Sequence, residues 1–120
     1  EELQACGLSR RKAEYIQGLA RAIADGQRDL GRLKEMPSDE ARAFISEWRG
    51  VGPWSADYIL VRGLGRADCV PADDLGVRTV VGDYLGDGSR MTADQVREAL
   101  APFQPYRGLV AFYLLGASQV

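Results

Sequence analysis

The sequence predicts an all-α fold, and three observations carry that prediction. Apolar residues recur at i, i+3, i+4 and i+7 along most of the chain, the spacing of one helix face. Gly26, Pro37, Gly63, Gly86 and Pro102 fall between these periodic segments, where helices stop or start. No segment alternates apolar and polar residues as a half-buried strand does. Residues 1–120 read as one domain, a single array of helices with short connections and without internal repeats or a linker.

The elements follow in order. Glu1-Glu2-Leu3 begin inside what reads as a continuing helix, with no cap and no start methionine, so a fragment of a longer protein is expected. Ser9 is placed as the N-cap of a helix running to about Asp25, with Ala13, Ile16, Leu19, Ala20 and Ile23 on its core face and Gly26 at its end. After a turn at Leu30 to Leu33, Ser38 is expected to cap a helix that carries Ala41, Phe44, Ile45 and Trp48. Arg49-Gly50-Val51-Gly52-Pro53 breaks it, and Pro53 suits the first position of a helix reaching about Arg62. Ala67 to Ala72 reads as extended. Asp73 or Asp74 then begins a helix with Leu75, Val77, Val80, Val81, Tyr84 and Leu85. Thr92 and Gln95 have the spacing of a capping box for a helix ended by Pro102, and Pro105 opens a last one, apolar from Leu109 to Leu115.

Composition removes several chemistries. The chain is 46% apolar and 27% charged, ordinary for a folded soluble protein. No apolar run approaches the roughly 18 residues that cross a bilayer, so no membrane partner is expected, and the default compartment is the cytoplasm or the nucleus. There is no histidine, which excludes triads with a His base and every His-bearing metal site. The two cysteines, Cys6 and Cys69, are far apart and too few for a zinc site or an iron–sulfur cluster. No metal site is expected. The formal charge of −2 gives no general basic field, so any contact with nucleic acid must rest on local geometry.

Such geometry is offered by Gly50-Val51-Gly52 followed at once by Pro53, Trp54 and Ser55. Two glycines separated by one residue let backbone N–H groups face outward, and the next helix adds its unpaired amides and positive dipole end. A phosphate oxygen suits that arrangement without many basic residues. Val51 would anchor the turn in the core. An ordinary helix–turn–helix corner explains the same pattern.

Downstream, Val70-Pro71-Ala72-Asp73-Asp74-Leu75-Gly76-Val77-Arg78 sets two acids before a helix. Together with Gly50-Val51-Gly52-Pro53-Trp54-Ser55-Ala56-Asp57-Tyr58 and Pro105-Tyr106-Arg107, in this order and spacing, it resembles the helix-hairpin-helix DNA glycosylases. The similarity runs from about Gly7 to Leu115 and is nearest to the 3-methyladenine DNA glycosylase II branch, which acts on alkylated bases. The fold it implies is the helix-hairpin-helix glycosylase array without its N-terminal helices. Those helices form the other wall of the cleft in the family.

The resemblance places the catalytic aspartate at Asp74, twenty residues after Trp54, and leaves Asp73 to cap the helix or support the loop. A plain N-cap is the alternative for Asp74. It implies that Trp54 and Tyr58 line the base pocket, where core aromatics are the alternative, and that Gly50, Val51, Gly52 and Ser55 meet DNA phosphate. Arg62 and Arg107 suit phosphate, loop or surface ion-pair contacts equally. Strand-cutting relatives carry lysine where Trp54 stands, and Lys12 and Lys34 lie far off in sequence, so the reading is monofunctional. Leu115 departs from the family, which often has a further pocket tryptophan there. The partner implied is double-stranded DNA with alkylated bases, met by a monomer. No cofactor is required, with room for a monovalent cation at the hairpin carbonyls. A DNA-binding module without catalysis is the competing reading, and it would leave Asp74 without a task.

Overall fold

The computed structural model of the chain describes residues 1–119, and among them every regular element is helical. The seven α-helices are α1 (Glu2–Ala5), α2 (Arg10–Ala24), α3 (Ser38–Ser46), α4 (Pro53–Tyr58), α5 (Leu75–Leu85), α6 (Ala93–Leu100) and α7 (Arg107–Ala117). The chain packs as two compact units, Glu1–Gly52 and Pro53–Val120.

In the first unit, Ser9 caps α2 by accepting the Lys12 N–H, and Gly26 follows with φ +72°. Only Ala13 of the expected α2 face is buried; Ile16 is 47% exposed. The cap expected at Ser38 falls instead on Pro37, because Ser38 already has helical geometry. Ala41, Ile45 and Trp48 are buried, and the Phe44 ring meets Trp48 edge-on at 5.8 Å. Cys6 and Cys69 are free thiols, one exposed and one buried.

In the second unit, α5 is the central helix, packed on α6 and α7. Its Val77, Val80 and Val81 join Val70, Ala72, Val96, Leu100 and Ala111 in one apolar core. Pro53 opens α4 as expected, but after Tyr58 the chain widens into a π-helical turn, Ile59–Gly63, closed by the Leu64 N–H on the Ile59 carbonyl at 3.0 Å. The Thr92–Gln95 capping box is complete at α6, and a 3-10 turn over Ala101–Phe103 ends it. The last helix starts at Arg107 rather than Pro105, with Tyr106 in the N-cap position.

The segment from Arg66 to Asp73 is neither helix nor strand, yet Cys69, Val70, Pro71 and Ala72 are buried. Its polar backbone therefore needs partners. The start of α7 supplies them: the Leu109 N–H donates to the Ala67 carbonyl at 2.9 Å. Such close approach depends on Gly108, where a Cβ would collide with the Cys69 carbonyl. Gly18, in the middle of α2, has open space around it instead.

Gly108→Ala should therefore lower stability by roughly 2–4 kcal/mol, the scale of an overpacked core position. Gly18→Ala should raise it by up to about 1 kcal/mol through helix propensity alone. Thermal unfolding of both variants checks this. Equal melting temperatures for Gly108→Ala and the parent would contradict the close docking of α7.

Candidate active site

The site is built in the second unit, at the starts of α4 and α5. Asp74 is the N-cap of α5, with φ −70° and ψ 125°. Its Oδ2 accepts the Val77 N–H at 2.9 Å, which satisfies one of the unpaired donors at the helix start. Its Oδ1 accepts the Trp54 indole N–H at 2.7 Å. Each carboxylate oxygen thus has one donor, and the side chain remains partly open to solvent. Gly76 keeps the surroundings clear: a Cβ there would stand 3.0 Å from Asp74 Oδ2 and 3.3 Å from Leu115 Cδ2.

The adjacent acid does something else. The helix cap assigned to Asp73 belongs to Asp74, because the backbone turns helical only at Leu75. Asp73 instead faces Arg97 of α6 at 3.5 Å, an exposed pair that ties the loop to that helix. The cap expected at Asp73 is thus one residue further on.

Trp54 and Tyr58 stand one turn apart on α4, ring centroids 4.7 Å apart. Neither is a fully buried core aromatic, and Trp54 is 46% exposed. Phe112 of α7 meets Tyr58 edge-on at 5.3 Å, and the Arg62 guanidinium lies 5.3 Å from the Phe112 ring centroid. Tyr58, Arg62, Phe112, Leu115, Gly116 and Gln119 line an open groove of 480 Å³. Burial, and then the Asp74 charge, push the Tyr58 hydroxyl above its ordinary pKa, while Arg62 pulls the other way. The phenol therefore stays protonated beside the carboxylate at neutral pH.

Arg107 proves to be a loop contact. Its Nε and terminal NH2 donate to Asp68 Oδ1 and Oδ2 at 2.7 and 2.6 Å, and its backbone N–H also reaches Oδ1 at 3.3 Å. The Arg107 hydrogen bonds hold the Asp68 carboxyl below the ordinary aspartate range, and the same pair raises the arginine. Phe112, Asp68 and Gly76 were absent from the residues singled out in the sequence. Phe112 was hidden within a uniformly apolar helix. Asp68, an acid in an otherwise apolar stretch, was the one visible signal.

The hairpin glycines have different tasks. Gly50, at φ +89°, lies under the Tyr15 ring, which a Cβ would strike. Gly52 has open space and an ordinary φ. Val51 is half-buried and shares a shallow apolar groove with Tyr15, Ile16 and Leu19. Ser55 is half-buried in the first turn of α4. Among the described residues no cluster of three or more His, Cys, Asp or Glu side chains is placed to hold a metal ion.

Comparison with known proteins gives the family and the fold. Residues 1–105 match the model of the HhH-GPD superfamily base excision DNA repair proteins. The chain belongs to that superfamily. A DNA-3-methyladenine glycosylase of Bacillus subtilis is 32% identical over 104 residues, which cover 87% of this chain and 34% of that protein. A 3-methyladenine DNA glycosylase from Archaeoglobus fulgidus superposes with a TM-score of 0.80 at 38% identity, over 94% of this chain and 37% of that one. The Schizosaccharomyces pombe 3-methyladenine DNA glycosylase in complex with abasic DNA gives 0.84 at 28% identity, over 98% and 57%. The chain thus spans about a third of the length of its curated Bacillus relative.

The Asp68–Arg107 pair yields a pH prediction. A carboxyl depressed by folding stabilises above its unfolded pKa, near 3.9, and that contribution is lost as pH falls through the folded value. Asp68→Asn should cost about 1 kcal/mol at neutral pH, since the pair is bidentate but partly exposed. The difference should shrink below about pH 4. Urea unfolding of both proteins from neutral to acid pH measures it, and a gap independent of pH would refute the assignment.

Proposed function

We propose that this chain carries the catalytic aspartate and DNA-binding hairpin of a monofunctional DNA glycosylase that excises alkylated bases of the 3-methyladenine type. The observation that carries the reading is Asp74: a carboxylate fixed through both oxygens at a helix start, beside two adjoining aromatic rings. The names of the Bacillus, Archaeoglobus and Schizosaccharomyces relatives support the same substrate class.

Cleavage of an N-glycosidic bond develops positive charge on the sugar, which a fixed anion stabilises. The base leaves with the bonding electron pair. Alkylated on a ring nitrogen, it is already cationic and departs neutral, so no acid is needed to protonate it. Asp74 faces the forming cation and orients the water that adds to the anomeric carbon and releases its proton to solvent. Trp54 and Tyr58 stack on the extruded base, and their electron-rich faces favour a cation by about 0.5–2 kcal/mol each. The reaction so written draws on no cofactor.

DNA enters through the hairpin. Backbone N–H groups at Gly50 and Gly52 receive phosphate oxygens, which accounts for binding by a chain with net charge −2, while the Val51 N–H is given to the Trp48 carbonyl at 3.0 Å. Of the two glycines, Gly52 is open for close approach. A monovalent cation at the hairpin carbonyls would add positive charge at the phosphate and leave the breaking bond untouched. The protein works as a monomer, in the nucleoid of a bacterium or the nucleus of a eukaryote.

Asp74→Asn should lower single-turnover release of alkylated base by roughly 10²-fold or more, while DNA affinity is kept or rises. The helix should survive, because asparagine caps nearly as well as aspartate. Asp73→Asn should lose only the Arg97 pair and keep near-normal activity. Measurement of both variants in the full-length protein decides. Full activity in Asp74→Asn would remove the carboxylate from the chemistry.

A further inference from the structure

Trp54 has so far served as a wall for the base. Its indole N–H points elsewhere, to Asp74 Oδ1 at 2.7 Å, a short distance for a neutral donor and typical of a bond to a charged acceptor. Trp54 is half exposed, and its N–H donates inward to the carboxylate.

We propose that Trp54 is the positioning residue of Asp74, and that its N–H fixes the aim of the carboxylate as much as its ring receives a base. This rests on the reading of Asp74 as the group facing the sugar cation. A carboxylate held by the Val77 N–H alone is constrained at one oxygen and can still swing about its own bonds. The second donor comes from a different helix, twenty residues earlier, and removes that freedom. Trp54 is itself braced: its ring packs on Tyr58, and Tyr58 is met edge-on by Phe112. The line Phe112–Tyr58–Trp54–Asp74 therefore transmits the placement of α7 and α4 to the anion. An oxygen displaced by even an ångström loses much of its hold on charge developing at one carbon.

Phenylalanine at 54 separates the two tasks, for it keeps an aromatic face and removes the donor. In the full-length protein, Trp54→Phe should weaken affinity for DNA containing the alkylated base less than Trp54→Leu does, and slow single-turnover release at saturating protein about tenfold, the loss of one charge-assisted hydrogen bond. Trp54→Leu should weaken binding as well. Wild-type release by Trp54→Phe, with Trp54→Leu impaired, would mean a stacking role only.

A second readout does not depend on activity. With 15N-labelled indoles, the Trp54 N–H resonance, assigned by its loss in Trp54→Phe, should shift upfield and exchange faster with water in Asp74→Ala. The Trp48 resonance should stay in place. An unmoved Trp54 signal overturns the hydrogen bond even if Asp74 proves essential. A moved signal together with full activity in Asp74→Asn upholds the bond and refutes the glycosylase mechanism.

Discussion

The second unit depends on one carboxylate meeting two demands. Asp74 closes the first turn of α5 through the Val77 N–H, and α5 is the helix around which Val77, Val80 and Val81 assemble the core. The same group, through its other oxygen, holds Trp54 at the start of α4. A cap of this kind contributes about 1 kcal/mol to stability. The cap sets negative charge at the positive end of a helix, and negative charge is what a cationic transition state requires. Stability and reactivity thus ask for the same charge in the same place.

Around that anion the non-helical segment from Arg66 to Asp73 is held with unusual economy. Two features of α7, the Arg107 fork on Asp68 and the missing Cβ of Gly108, let a helix start satisfy loop backbone that would otherwise be buried without partners. The loop is consequently held as part of the framework, and the Asp74 carboxylate at its end is held with it. The hairpin follows a comparable division of labour: Gly50 makes room for Tyr15, and Gly52 leaves room for whatever approaches from outside.

Local rules explain which parts were legible in the sequence. Ser9, the Thr92–Gln95 box and Pro53 act within one helical turn, and each stands where its residue type requires. The resemblance of the Trp54 and Asp74 segments to glycosylases likewise agreed with the fold and family found. Contacts between distant positions were not readable. The Asp68–Arg107 pair spans 39 residues, and neither side chain carries a local mark of the other. The spacing between Trp54 and Asp74 was visible, yet spacing alone does not reveal that an indole N–H closes it. The choice between Asp73 and Asp74 as cap turned on a single backbone step, which two adjacent acids leave undetermined. Ile16 fitted a helical core face but stands half exposed, since periodicity records a face and not what covers it.

The central claim is that Asp74 recognises positive charge at the sugar. The most direct test is the affinity of the full-length protein for two abasic-site analogues in otherwise identical duplexes, one with a cationic pyrrolidine ring and one with a neutral tetrahydrofuran. A site complementary to the transition state binds its charged mimic more tightly. The account predicts a clear preference for the cationic ring that disappears in Asp74→Asn, with binding of the neutral ring unchanged. Equal affinity for the two analogues in the wild-type protein, or a preference that survives in Asp74→Asn, would contradict it.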